Sequence, residues 1–303
     1  IDGTEYGDGE AVTTYVALEP RLSARYQLNA KSSLKAGITR TAQYLHLVSN
    51  STSTLPTDIW VPSSEVVKPQ LGLQYALGYF RNFNDNAWEA SVEVYYKDLD
   101  NQIDYRESYV NNAADDIEQQ FVFGKGQAYG VEFFVNKRKG RLTGWLGYTL
   151  SRTLRTFPDV NGGRQYRATY DRPHDISLVA SYELSKKWTL SGVFVYGTGQ
   201  AFTPLRSLYL IEGGLVQEYG DRNSARLQDY HRFDVSAIYV PNPSSEKRLK
   251  SSWSFSIYNM YNRKNPFFTY YDLDVNPDAG TASAKALKVS LFPIIPSVTW
   301  NFS

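Results

Sequence analysis

The chain has 303 residues, a formal net charge of +1 and no cysteine, so a disulfide framework and thiolate chemistry are excluded and charge offers no argument for a nucleic-acid partner. Its 42% hydrophobic and 21% charged residues are ordinary amounts, but 24 Tyr, 15 Phe and 6 Trp stand against a single Met, Met260. No apolar run approaches the roughly 18 residues of a spanning helix. No signal peptide is read at the start, and the first residue is Ile1, so the chain is expected to be a mature or truncated piece of a longer precursor.

Alternating apolar and polar residues predict strands, in chain order, near 13–28, 33–48, 68–81, 87–104, 119–136, 141–154, 171–184, 188–200, 228–240, 251–265, 283–292 and 297–303. Most exceed the roughly 5–6 residues of a soluble strand and reach the roughly 9–11 needed to cross a bilayer at a tilt. Short turns (NAKSS, RNFNDN, NKRKG, LSKK, PNPSSEKRLK, FPIIP) alternate with long polar loops near 49–67, 105–118, 155–170, 201–227 and 266–282. Short turns on one side and long loops on the other are the mark of an outer-membrane barrel.

The faces agree. Leu71, Leu73, Tyr75, Leu77 and Tyr79 oppose Gly72, Gln74, Ala76 and Gly78; Trp88, Ala90, Val92, Val94 and Tyr96 oppose Glu89, Ser91, Glu93 and Lys97. Tyr129, Val131, Phe133 and Val135 oppose Ala128, Gly130, Glu132 and Asn136, and Phe233, Val235, Ala237 and Tyr239 oppose Asp234 and Ser236. In HDISLVASYELSKKWTLSGVFVYG, a turn at Ser185, Lys186 and Lys187 sets Tyr182 opposite Leu190, Ala180 opposite Gly192, Leu178 opposite Phe194 and Ile176 opposite Tyr196. The other face then pairs Glu183 with Thr189, Ser181 with Ser191, Val179 with Val193 and Ser177 with Val195. Polar groups in mid-strand do not suit a sandwich core and do suit a wet lumen, which assigns the apolar face to lipid. Tyr79, Trp88, Tyr182, Trp188 and Tyr239 sit beside short turns, where an interfacial girdle is expected. The predicted fold is all-β, an antiparallel transmembrane β-barrel with about 12 strands in this chain.

The ending SVTWNFS puts Val298, Trp300 and Phe302 on one face and resembles the terminal signature read by the barrel-assembly machinery, with Ser303 added after the aromatic. YGVEFFVNKRKGRLTGWLGYTLSRT (129–153), followed by YRATYDRPHDISLVASYELSKKWTLSGVFVYGTG (166–199), resembles the C-terminal part of the barrel of TonB-dependent outer-membrane receptors. The resemblance covers the whole chain in organisation and is motif-specific over 129–199. It implies that residues 1–303 are the C-terminal portion of a larger barrel in the bacterial outer membrane. It also implies a plug and a TonB box outside this sequence, and coupling to the TonB–ExbB–ExbD complex. Asp171, Arg172, Pro173 and His174 receive no role from the sequence beyond that of a proline opening a strand.

No catalytic constellation, cofactor or firm metal site is read. His46, His174 and His231 lack ligand spacing, and Ser177, three residues from His174, falls on the opposite strand face, which disfavours an esterase. DLDVNPDAGTAS spaces Asp272, Asp274, Asn276 and Asp278 like a calcium loop. Pro277 replaces the turn glycine there and Ser283 the bidentate glutamate, so a solvated acidic loop is the competing reading. NPFFTYY places Phe267, Phe268, Tyr270 and Tyr271 in an outer loop, and with Tyr166 and Tyr170 these are the candidate ligand contacts, the alternative being an extension of the barrel wall. Three functions follow: TonB-dependent uptake of a scarce siderophore, glycan or peptide; a passive 12-strand porin; or a non-transporting subunit that docks a surface lipoprotein.

Overall fold

The computed structural model describes residues 7, 10–11, 13–48, 59–106, 117–211, 214–243, 251–276 and 281–302. Eleven long strands run in one antiparallel sheet: β1 (Arg21–Asn29), β2 (Ser32–Gln43), β3 (Gln70–Phe83), β4 (Trp88–Tyr105), β5 (Phe121–Lys137), β6 (Leu142–Thr156), β7 (His174–Glu183), β8 (Trp188–Gly197), β9 (Tyr230–Tyr239), β10 (Ser251–Tyr258) and β11 (Ile295–Phe302). A twelfth, Tyr166–Arg167, pairs with the end of β6. Each long strand neighbours its predecessor, and among the described residues β1 and β11 are paired on one side only.

The register of β7 on β8 is the predicted one, with Leu178 opposite Phe194 and Ser181 opposite Ser191. Extended across the sheet, one face reads Leu146, Leu178, Phe194, Phe233 in a row over β6 to β9, and Leu77, Val94, Val131, Leu150 over β3 to β6. Leu77, Val94, Leu146 and Leu178 on that outward face are each 40% or more exposed. A continuous apolar face of this extent is a liability in water and at home in hydrocarbon.

Two aromatic rows bound it. Phe83 and Trp88 face each other beside one short turn, and eight residues up their strands Tyr75 faces Tyr96, which faces Tyr129. Trp188, Tyr239, Trp253 and Trp300 form the lower row on the other half of the sheet, with ring centroids 4.7 Å apart for Trp188–Tyr239 and 5.9 Å for Trp253–Trp300. Eight residues above Trp188 and Tyr239 stand Tyr196 and His231. Eight residues span about 26 Å of strand, or about 20 Å of height at a tilt near 40°, which approximates the apolar band of an outer-membrane barrel.

The inward face is different in kind. Ser181, Ser191, Ser236, Ser256 and Ser297 lie in one row across five strands, with Oγ to Oγ distances of 3.0 Å at one end and 2.7 Å at the other. Glu93, Glu132 and Lys97 share this face further along.

One prediction is corrected. The segment near 283–292 is a strand, Thr281–Val289, but it pairs with Phe268–Asn276 in a hairpin outside the main sheet. Its alternation sets Ala284 and Ala286 against Ser283 and Lys285, so neither face carries the bulky apolar row that lipid contact needs. FPIIP is therefore the approach to β11 rather than a turn. Loops 44–69, 106–120, 157–173, 198–229 and 259–294 alternate strictly with the short connections, and β11 ends on the short-turn side. The loops at 44–69 and 198–229 add hairpins of their own, Leu45–Val48 with Ile59–Pro62 and Leu205–Ile211 with Gly214–Tyr219.

Candidate functional site in the outer loops

The long loops carry most of the buried interior, in contrast to the sheet. Val48, Val61, Val67, Tyr105 and Phe121 form one core, and Val122, Phe157, Val160 and Tyr166 a second. A side chain at Gly124 would collide with the Thr156 carbonyl and the Phe157 ring, so this glycine leaves the seat on which Phe157 of the second core rests, while one at Gly126 would meet the Arg155 guanidinium.

Asp171 organises the loops, which gives the Asp-Arg-Pro-His stretch the role that sequence alone withheld. Its carboxylate is fully buried, accepts the Thr153 amide at 2.6 Å, is paired by Arg226, and lies 3.8 Å from Arg152. Arg226 also donates to the carbonyls of Asp171 at 2.7 Å and Gly199 at 3.0 Å. Ser151 donates its amide to the Pro173 carbonyl and its hydroxyl to the Arg172 carbonyl, both at 3.0 Å. Loops 157–173 and 198–229 are thereby clasped to each other and to the top of β6.

A second knot lies on the inward side. Arg222 is 3.5 Å from the Asp104 carboxylate and donates to the Tyr105 carbonyl at 2.7 Å, while Tyr166 reaches Asp104 at 3.5 Å. Burial, then the Asp104 charge, push the Tyr166 phenol well above its ordinary range. Nearer the lumen, Arg232 donates to the hydroxyls of Tyr230 at 2.9 Å and Tyr258 at 2.7 Å and to Asp234 at 2.9 Å, with its guanidinium 4.2 Å from the Tyr258 ring centroid. In loop 198–229, the Tyr196 hydroxyl at 2.7 Å and then the Gly199 amide hold the Asp229 carboxyl below its ordinary range. The arrangement offers hydrogen bonds, a cation and aromatic faces to a solute, and no nucleophile with its base.

The six candidate aromatics are not gathered in one place. Tyr166 is 6% exposed and belongs to the loop core, whereas Tyr170 is 56% exposed and accepts a hydrogen bond from Arg155. Phe267, Phe268 and Tyr270 form a chain of rings with centroids 5.7 and 6.1 Å apart, and the Tyr271 hydroxyl accepts the Leu205 amide at 2.9 Å, which ties that hairpin to the neighbouring one. Asp272, Asp274 and Asn276 lie along one face of an extended strand, opposite Lys285, Ser283 and Thr281, while Asp278 lies outside the described residues. Among the described residues no three His, Cys, Asp or Glu are gathered to hold a metal ion. His46 contacts Ser63 at 3.0 Å, His174 contacts Tyr148 at 2.9 Å and His231 contacts Tyr261 at 2.7 Å. Ser177 faces inward opposite Val195, away from His174.

Sequence reasoning missed Asp104, Arg222, Arg226 and Arg232. The first three act across loops far apart in the chain, but Arg232 was findable, because it shares the polar face of its strand with Asp234 and Ser236.

The chain is similar to solved structures across nearly its whole length. It covers 94% of itself and 32% of the ferripyoverdine receptor of the outer membrane of Pseudomonas aeruginosa bound to ferripyoverdine, at 17% identity and a TM-score of 0.55. For the siderophore receptor PiuA from Acinetobacter baumannii the figures are 93% and 35%, at 12% identity and a TM-score of 0.58. For the unliganded ferric citrate transporter FecA they are 94% and 37%, at 12% identity and a TM-score of 0.55. The chain thus spans about a third of the length of these proteins, and the likeness speaks to fold. No curated protein matches it in sequence. The family model described as TonB dependent receptor-like, beta-barrel matches residues 2–262, and the chain belongs to that family of outer-membrane barrels.

Proposed function

We propose that this chain is the C-terminal portion of a receptor barrel that takes up a scarce solute, with energy delivered by TonB–ExbB–ExbD to a plug carried elsewhere in the protein. The observation that carries the reading is the clasped loop layer. A passive pore needs no fixed outer surface, whereas Asp171 with Arg226 and Asp104 with Arg222 hold two long loops rigidly above a polar wall. Such preorganisation lowers the ordering cost of binding a solute. The one-sided pairing of β1 and β11 among the described residues, together with coverage of about a third of the length of similar structures, supports further strands joining at both edges. On this reading the strand β11 is also the segment presented to the barrel-assembly machinery. Siderophores, glycans and peptides all remain compatible with the inward groups. The names of the ferripyoverdine receptor and FecA make ferric chelates the first panel to try.

The test is uptake of radiolabelled ferric chelates, oligosaccharides and peptides by cells carrying the whole gene, compared with cells lacking it and with cells lacking TonB. Uptake lost in both deletions supports the proposal. Uptake that persists without TonB, with measurable ion conductance of the purified protein, replaces it with a passive pore.

A further inference from the structure

We infer that the plug is seated against an apolar patch on the inner wall of β3–β8 and parts first from β10 and β11, so that the path of the solute opens on that side. The inference rests on the proposed plugged transport barrel. The inner wall is not uniform. Phe80 faces Ser91 and Ser91 faces Phe134, all on the face that carries Glu93 and Glu132. Trp145 stands opposite Val179 and Val179 opposite Val193, also inward, with Val195 two residues further along that face. The Phe134 and Trp145 ring centroids are 6.0 Å apart, and Ser91, between the two phenylalanines in register, is buried. The rings lie along the wall: a side chain at Gly78 would meet the Phe80 ring at 2.7 Å, and one at Gly147 the Trp145 ring at 3.6 Å. Trp145 nevertheless remains 37% exposed.

A broad apolar surface inside a wet lumen calls for a packed cover. Lipid and a second copy have no access to an inward face, and the chain spans about a third of the length of similar structures, so the proposed plug is the occupant. The wall of β10 and β11 differs in kind. Its inward pairs are Ser252 with Asn301, Ser254 with Thr299 and Ser256 with Ser297. Short polar groups exchange hydrogen bonds to water for hydrogen bonds to the plug at little net gain, whereas the rings and valines gain with all the area they remove from water. A plug pulled by TonB therefore loses its contact with β10 and β11 before it leaves the patch. Tyr258, whose hydroxyl accepts from Arg232, lies two residues above Ser256 on the same face of β10. The groups offered to the solute thus stand at the mouth of that path.

The experiment uses the full-length receptor purified in detergent, with single cysteines replacing Val179, Val193, Ser256 or Thr299, and reads the urea midpoint at which each reacts with a maleimide. Ser256→Cys and Thr299→Cys should become reactive at about 1 M less urea than Val179→Cys and Val193→Cys, while the barrel keeps its heat-modifiable migration. In the Val193→Cys protein, Phe134→Ser with Trp145→Ser should lower the midpoint to that of Ser256→Cys, and Phe134→Leu with Trp145→Phe should not. In the Thr299→Cys protein, Ser256→Phe with Ser297→Phe should raise the midpoint, a gain that misfolding does not mimic. While cells take up a radiolabelled ferric chelate, the maleimide should label Ser256→Cys and stop uptake, and should leave Val193→Cys unlabelled. Equal midpoints, a lower midpoint for Val193→Cys, or its labelling during uptake overturns the inference. Reaction at all four positions without urea shows an unplugged lumen and removes the transport proposal as well. Equal midpoints together with uptake that is lost without TonB reject the seating alone.

Discussion

Replacing Asp171 by Ala should unclasp the outer loops while leaving the membrane sheet intact. The carboxylate is fully buried, accepts a backbone amide at 2.6 Å, and is the acidic partner of Arg226, whose side chain is 20% exposed. Removing one partner of a buried pair costs about 3–5 kcal/mol when the remaining charge is wholly buried. Arg226 keeps some solvent contact and two carbonyl acceptors, so about 2–3 kcal/mol is expected, at the lower end for such losses. That energy falls on the join between loops 157–173 and 198–229, because the partners of Asp171 are Arg226 in one loop and the Thr153 amide and Arg152 at the top of β6, beyond the apolar rows. Limited proteolysis of intact cells should therefore cut within 157–173 or 198–229 at least tenfold faster, while the folded barrel keeps its heat-modifiable migration. Asp171→Ala with Arg226→Met, which removes both charges, should recover most of the resistance. If Asp171→Ala leaves proteolysis unchanged, or the double variant is worse than the single, the clasp is not what orders these loops.

Arg in place of Leu178 or Phe194 should cost about 2–4 kcal/mol and lower the yield of folded barrel, whereas Ser191→Arg, on the inward face, should be mild; equal damage would mean that the faces are reversed. His46 is fully buried, and burial holds its pKa below the ordinary 6.5. Its contribution to the Leu45–Val48 hairpin is present above pH 6.5 and lost as pH falls toward the lower folded value, since the opened state takes up the proton first. The protection of the Leu47 and Val61 amides, their exchange rate relative to the intrinsic rate at the same pH, should fall on going from about pH 7.5 to about pH 5.5 in wild type, and His46→Gln should abolish that fall. Because the chain has no cysteine, single cysteines at Tyr209 and Asp272 should react with an impermeant maleimide on intact cells and one at Lys186 should not; reaction at Lys186 from outside inverts the topology.

What was legible follows from the medium. Lipid on one side and water on the other impose a period of two on every spanning strand, and a slip of one residue would put Glu93 or Ser191 into hydrocarbon, so the pairing of 174–184 with 188–197 could be written down from the sequence. Outside the bilayer that constraint disappears. The strand Thr281–Val289 alternates as the others do, yet its partner is a loop strand, because small and charged residues can sit on either side of a hairpin in water. Asp171 and Arg226 are separated by 55 residues, with no local pattern to link them. Tyr166 and Tyr170 look alike in sequence, and tertiary packing buries one over Asp104 while the other stays in solvent.

The central claim, a wall with lipid on one face and water on the other, is tested most directly by spin labels placed one at a time from Ile176 to Tyr182 in the full-length protein in liposomes. Accessibility to oxygen, which concentrates in hydrocarbon, should peak at positions 176, 178, 180 and 182, and accessibility to a water-soluble nickel chelate at 177, 179 and 181. An absence of alternation, or oxygen maxima at the odd positions, would contradict the account.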